Sequence, residues 1–180
     1  MAGEERAADP DLTRLEALRD RPEQFHIFKA LRLIEAAFAD RPRMGRSRRP
    51  ADDPVRLEQE PELAFPPSTV RAFAPPDGEG PGHLKNRFFG LWGPMGPLPL
   101  HLTEYARDRQ RNHRDPTLVA FANLFHHRMT GLLYRAWASA EPAPCFDRDD
   151  DDPFSERVAA IAGLKGGAFA GRDAMPDVVK

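Results

Sequence analysis

The sequence predicts an α+β fold that is mainly helical, with a small sheet of two or three short strands and long loops rich in proline and glycine. Apolar residues recur at helical spacing in four segments, at about 23–40, 100–112, 116–139 and 153–163. Short extended segments lie between the first two of these helices. The 180 residues include 19 prolines, well above a usual share of about 5%. Much of the chain must therefore be turn or extended backbone.

The N-terminal segments are predicted to be helical and apolar. Leu12, Leu15 and Leu18 form a short stripe that ends before Pro22. In the segment 23–40, apolar residues cover most of the helix circumference and leave a narrow charged strip. These residues are Phe25, Ile27, Phe28, Ala30, Leu31, Leu33, Ile34, Ala37 and Phe38. A helix of this kind is buried on several sides, and we expect part of its surface to be left for partners.

Three short strands are predicted after a linker at 41–53, namely 55–57, 68–73 and 84–91. The prolines between the first two strands cannot donate hydrogen bonds to a sheet, so a long central strand is excluded there. They are Pro54, Pro61, Pro66 and Pro67. The sequence gives no register for these strands.

Two helices follow the turn cluster at 93–99. The first covers about 100–112, and Asp115 and Pro116 fit the N-cap and first position of the second, at 116–139. An apolar stripe on the second helix is predicted to face the core. It contains Leu118, Phe121, Ala122, Phe125, Met129, Leu132, Leu133 and Ala136. The opposite face carries Asn123, His127, Thr130, Tyr134 and Trp137, a polar and aromatic mixture that is typical of protein interfaces.

The predicted domain organisation is an N-terminal arm at 1–22, one domain at 23–164, and the truncated start of a further part at 165–180. We therefore expect the chain to be a fragment. The formal net charge of −2 excludes a strong field for nucleic acid. Cys145 is the single cysteine, and no window has the roughly 18 apolar residues of a membrane span. We expect a soluble, cytoplasmic protein without a disulfide.

Candidate chemical sites in the sequence are weak. His101, Glu104, His126 and His127 could serve a metal-dependent hydrolase, but no HExxH motif is present. The arginines at 41–49 are either a solvated linker or an adaptor for acidic partners. The acidic run at 147–152 lacks the spacing of a calcium loop and fits a solvated turn with a helix cap. No catalytic, cofactor-binding or metal-binding residue is predicted.

Several separate motifs resemble one known family, in the same order along the chain. They are Pro54-Val55-Arg56-Leu57, Leu63-Ala64-Phe65-Pro66-Pro67-Ser68, Phe88-Phe89-Gly90-Leu91, Gly93-Pro94-Met95-Gly96-Pro97-Leu98-Pro99, His101-Leu102-Thr103-Glu104-Tyr105, Asp115-Pro116-Thr117-Leu118, Phe125-His126-His127-Arg128 and Tyr134-Arg135-Ala136-Trp137. The family is TssG, also called ImpH or VasB, a baseplate subunit of the bacterial type VI secretion system. The resemblance extends from Phe25 to about Leu164.

The resemblance implies a structural, non-enzymatic component of a contractile, phage-tail-like baseplate. It implies a wedge with two copies of TssF, beside TssE, and loops that help to hold TssK trimers. No cofactor, nucleic acid or membrane insertion is implied, and the baseplate docks at the inner membrane from the cytoplasm. Members of the family are longer than this chain, as expected for a fragment.

Partner contacts are predicted to rest on a few aromatic anchors and charged neighbours. The aromatic anchors are Trp92, Tyr105, Tyr134 and Trp137, and the charged or polar partners are Arg107, Arg109, His127, Arg128 and Arg135. The alternative for Trp92 and Tyr105 is that they belong to the core of the chain.

Overall fold

The computed structural model describes residues 10–77, 80–147 and 153–163. Its described part contains six α-helices and one three-stranded mixed sheet, so the predicted α+β class is confirmed. The chain divides into two compact units, residues 1–137 and 138–180. This division lies inside the predicted domain at 23–164, whose boundaries stay a prediction. The predicted tail at 165–180, residues 1–9 of the arm and most of the acidic run lie outside the described residues.

The first unit begins with two packed helices, α1 (Pro10–Asp20) and α2 (Ile27–Ala37). Leu15 and Leu18 of α1 are buried, so the described part of the predicted arm is folded onto the unit. Helix α2 is shorter than predicted because a 3-10 turn and an extended residue precede it. The Ile27 N–H donates to Thr69 Oγ1 at 2.9 Å.

The large apolar side chains of α2 are buried or half-buried. Ile27, Leu31 and Ile34 are completely inaccessible to solvent. The prediction that this helix leaves a broad apolar surface for partners is therefore wrong. The reason is that α1 packs against it, Trp137 stacks on Phe28, and the Tyr134 hydroxyl donates to Glu35.

The sheet has the order β1-β3-β2, with β1 at Val55–Gln59, β2 at Val70–Ala74 and β3 at Gly82–Asn86. Strands β1 and β3 are parallel and in register from Val55 opposite Gly82 to Gln59 opposite Asn86. Strand β2 is antiparallel to β3 and has an irregularity between Val70 and Ala72. Strand β1 buries alternate residues, as expected for a sheet with one covered face.

Strand β3 ends earlier than predicted, at Asn86 rather than residue 91. The Asn86 side-chain oxygen accepts hydrogen bonds from the backbone N–H groups of Phe88 (3.2 Å) and Phe89 (3.0 Å). A side chain that binds nearby backbone in this way turns the chain out of the strand.

Helices α3 (Leu100–Asn112) and α4 (Thr117–Ala138) agree closely with prediction. Asp115 Oδ1 accepts from the Thr117 N–H at 3.0 Å, so the predicted N-cap is confirmed. Hydrogen bonds from Thr117 and Arg109 hold the pKa of Asp115 well below its usual range. Trp92, Ala106, Val119 and Ala122 form a small core here.

The second unit contains α5 (Ala143–Phe146) and α6 (Pro153–Ile161). Cys145 is buried and its Sγ lies 3.5 Å from the Glu141 carbonyl oxygen. Helix α6 was predicted at 153–163, and Val158 and Ile161 on it are exposed. None of the helices in the described residues has the length and apolar content that a membrane span requires.

Glycine is required where the segment after α2 crosses α4. Gly45 has φ +76°, and a Cβ there would lie 2.4 Å from the carbonyl oxygen of Gly131. The two backbones can approach this closely because neither residue has a side chain.

We expect Gly45→Ala to lower stability by about 2–3 kcal/mol, or roughly 5–10 °C in Tm, because it adds backbone strain and a clash. Thermal melting followed by circular dichroism measures this. The matched control is Gly80→Ala, since a Cβ at Gly80 meets nothing within 4 Å. Equal melting temperatures of the two variants would contradict the close approach of the Gly45 and Gly131 backbones.

Candidate interaction surface

The inner face of α4 is polar and completes the open edge of the sheet. The Leu57 N–H of β1 donates to His127 Nδ1 at 3.2 Å, and the Gln59 N–H donates to Asn123 Oδ1 at 3.1 Å. Asn123 and His127 lie four residues apart, a rise of about 6 Å along a helix, and Leu57 and Gln59 lie two residues apart, about 6.6 Å along a strand. The two acceptors therefore have nearly the same spacing as the two N–H donors. Side chains of α4 thus take the place of a neighbouring strand.

Two adjacent histidines are held in opposite tautomers by their partners. His126 Nε2 accepts from the Leu91 N–H at 3.0 Å, so its proton is on Nδ1, which donates to Asn123 Oδ1 at 2.9 Å. His127 Nδ1 accepts from Leu57, so its Nε2 carries the proton and donates to Asp53 Oδ2 at 2.9 Å. All four ring nitrogens are therefore used inside the chain.

The electrostatics of this network favour a neutral His126 and an ionised Asp53. Burial lowers the pKa of His126 to about 4. Burial raises the pKa of Asp53, but hydrogen bonds donated by His127 and Ser47 outweigh this effect and leave the pKa below its ordinary value. Neutral His126 can accept the Leu91 hydrogen bond, whereas a protonated ring could not.

The loop after β3 is tied to the sheet by Gln59. Its side-chain oxygen accepts from the Trp92 N–H and its side-chain nitrogen donates to the Trp92 carbonyl, both at 2.8 Å. Gly90 passes so close that a Cβ would lie 2.2 Å from Gln59 Oε1. Trp92 itself is buried, which agrees with the core alternative for this residue.

A buried carboxylate joins α2 to α4. Glu35 accepts hydrogen bonds from the Met44 N–H at 2.8 Å and from the Tyr134 hydroxyl at 2.9 Å. The guanidinium of Arg43 lies 3.8 Å from the same carboxylate. The segment at 41–53 is therefore packed against α4 at these points.

The outer face of α4 carries the apolar residues, so the predicted orientation of this helix is wrong. Five large apolar side chains face solvent, and we call them the α4 stripe. They are Phe121 (59% exposed), Leu124 (69%), Phe125 (51%), Met129 (43%) and Leu132 (41%). The face predicted to bind partners is instead the inner one, where Asn123, His127 and Tyr134 have hydrogen-bond partners within the chain. Contiguous exposed apolar patches of this kind mark interaction sites.

The predicted anchor residues fall into two groups. Trp92 and Tyr134 are buried, His127 is hydrogen-bonded to β1, and Trp137 stacks on Phe28 at 4.9 Å between ring centroids. These four residues support the fold around the surface.

The remaining predicted residues lie nearer to solvent. Tyr105 is exposed. Arg107 lies 3.3 Å from Glu62 and Arg109 lies 2.6 Å from Asp115. Arg128 and Arg135 are exposed on α4. The sequence prediction included four of the five stripe residues, all but Leu124, but placed them inside, since periodicity alone does not say which face of a helix is buried.

The alternative of a metal-dependent hydrolase finds no support in the described residues. Lone pairs of His126 and His127 are engaged by backbone N–H groups. His101 and Glu104 are exposed on α3. No group of three or more His, Cys, Asp or Glu side chains in the described part of the chain could hold a metal ion.

We expect stability to fall by about 2 kcal/mol between pH 7 and pH 5 because of His126. The unfolded chain binds a proton near pH 6.5, whereas the folded ring has a pKa of about 4. Urea unfolding at both pH values measures the loss, and His126→Gln should remove most of the difference. His101→Gln, at an exposed position, is the control. An unchanged pH dependence in His126→Gln would refute the assignment.

Comparison with known proteins gives one match. The model of a protein family described as "Type VI secretion, TssG" matches residues 21–180. A search among curated proteins and a search among solved structures each find no match. The matched range includes every described element from α2 onward, and with them the α4 stripe and the network beneath it.

Proposed function

We propose a function for this chain from one premise, that the chain belongs to the TssG family of type VI secretion proteins. As a baseplate component, it works as a structural wedge subunit that binds two copies of TssF, and TssE. It also helps to recruit TssK trimers while the contractile tail assembles. It acts in a hetero-oligomeric complex on the cytoplasmic side of the inner membrane, without catalysis or a cofactor.

The exposed α4 stripe is the observation that supports this proposal. An aromatic side chain carries about 150–250 Å² of surface, so the half-exposed rings of Phe121 and Phe125 alone leave on the order of 200 Å² uncovered. Covering such surface contributes about 25 cal/mol per Å². A subunit that works through protein contacts needs a patch of this kind, whereas an enzyme would need converging polar groups in a cleft.

The network under α4 makes the stripe a preorganised surface. Asn123 and His127 bind β1, and Tyr134 binds the buried Glu35. These contacts fix the rotation of α4 about its own axis. A partner therefore binds the stripe without having to order the helix first, which reduces the entropic cost of association.

Among the predicted anchors, the exposed ones remain proposed partner contacts. These are Tyr105, Arg128 and Arg135, together with Arg107 and Arg109 of α3. Trp92, His127, Tyr134 and Trp137 contribute by holding the helices in place.

We expect the double variant Leu124→Ser/Phe125→Ser to reduce recovery of the complex at least about tenfold, since it removes apolar area that a partner would cover. The chain is co-expressed with TssF, TssE and TssK from one gene cluster, and the complex is quantified by size-exclusion chromatography. Melting of the isolated variant should be unchanged because both side chains face solvent.

The matched control is Phe65→Ser, at a loop position that is 74% exposed. It should leave recovery of the complex unchanged. A wild-type chain that stays monomeric and well folded beside the other subunits would refute the proposed function.

A further inference from the structure

The formally charged residues of α4 itself are all positive. Helix α4 contains no aspartate or glutamate, and its formally charged residues are Arg128 and Arg135. Both are exposed. The hydrogen bonds found for their guanidinium groups reach one acceptor, the Gly45 carbonyl oxygen, at 3.5 and 3.4 Å. Within the described residues, neither forms an ion pair with a carboxylate.

The two arginines lie on one side of the stripe. Each helical residue turns by about 100°, so residues seven apart return to within about 20° of each other. Arg128 and Arg135 therefore lie between Leu124 and Phe121 on the helical wheel, and Phe125 and Met129 lie on the opposite flank. A partner meets two cations, about 10 Å apart along the axis, next to Leu124, and mainly apolar surface from Phe121 to Met129.

We infer that the α4 stripe binds an amphipathic helix of a different subunit that carries two carboxylates, seven residues apart, on one flank. This inference rests on the proposed function. From Phe121 to Leu132 the stripe is straight and about 17 Å long, and its residues are spaced three and four apart. A second helix fits such a ridge with its own residues at the same spacing. Carboxylates on its flank would pair with both guanidinium groups.

A second copy of the chain would fit this surface less well. Two identical stripes related by a two-fold axis contact each other through the same residues. Because α4 has no acidic residue, such a dimer would bring four arginines together without a carboxylate from either helix. Like charges set against each other disfavour this pairing.

The end of the chain itself has a less suitable charge pattern. Residues 164–180 contain two carboxylates, Asp173 and Asp177, which are four rather than seven residues apart. The same segment has three cations, Lys165, Arg172 and Lys180. The charge pattern of this segment therefore fits the two arginines less well than an acidic helix of another subunit would.

The first test reverses the two charges in the full chain. We expect Arg128→Glu/Arg135→Glu to weaken assembly with TssF, TssE and TssK at least tenfold, and to remove most of its sensitivity to salt between 50 and 500 mM (about 14 to 4 Å in Debye length). The matched control is Arg48→Glu/Arg49→Glu, at two exposed arginines outside α4. If Arg48→Glu/Arg49→Glu weakens assembly as much or more, the inference is overturned in favour of the basic segment at 41–49.

The second test identifies the occupant by photo-crosslinking. Benzoylphenylalanine replaces Phe125 in the assembled wild-type complex, and mass spectrometry locates the crosslinked peptide. A helical peptide of another subunit with two carboxylates seven apart supports the inference. Changing those carboxylates to lysine should then restore assembly of Arg128→Glu/Arg135→Glu. A crosslink to a second copy, to residues 164–180 or to a segment without this pair overturns it.

The two proposals fail in different ways. If the wild-type chain does not assemble at all, the proposed function is wrong. If it assembles and Arg128→Glu/Arg135→Glu assembles equally well, only the acidic-helix inference is wrong. Circular dichroism of both double variants shows whether they are folded, and both should be, because all four arginines are exposed.

Discussion

The edge of strand β1 needs hydrogen-bond acceptors, and α4 supplies them. Without a neighbouring strand, the outward N–H groups of Leu57 and Gln59 would be buried and unsatisfied beneath the helix. Asn123 and His127 accept these hydrogen bonds, and in doing so they set both the position and the rotation of α4. The orientation of the apolar stripe, the course of the segment at 41–53 and the fit of the loop at 87–93 all depend on this contact.

The rotation of α4 about its own axis depends on which of its two faces, polar or apolar, is buried against the sheet. Turning Phe121 and Phe125 inward would cover apolar area, but it would leave the two N–H groups of β1 and the Leu91 N–H without their acceptors on α4. Each such group costs about 1–3 kcal/mol when it has no partner, and more when it is charged. The polar face is therefore inside, and the apolar face is exposed to solvent. The same hydrogen bonds that fix the fold of the subunit thus create the surface that we propose for assembly.

Local signals in the sequence predicted the elements, but not the face that α4 buries. Asp115 and Pro116 marked the start of α4 correctly because capping is a short-range interaction. The end of β3 was misplaced because a single side chain, Asn86, turns the chain there. The apolar stripe of α4 was recognised, but its direction follows from hydrogen bonds to β1, about 65 to 70 residues away in sequence. Trp92 and Tyr134 are buried; both were predicted as partner anchors, with a core position as the alternative for Trp92, because aromatic residues serve cores and interfaces alike.

The neighbouring imidazoles of α4 carry their protons on opposite nitrogens, Nδ1 in His126 and Nε2 in His127. A slip of the helix by one residue along β1 would put His126 in the place of His127 and turn its proton-bearing Nδ1 toward the Leu57 N–H. The helix therefore has one allowed setting on the sheet rather than a range of similar ones. The position and rotation of its outer surface relative to the sheet are therefore set by these two hydrogen-bonded rings, so the proposed contact surface has one defined geometry.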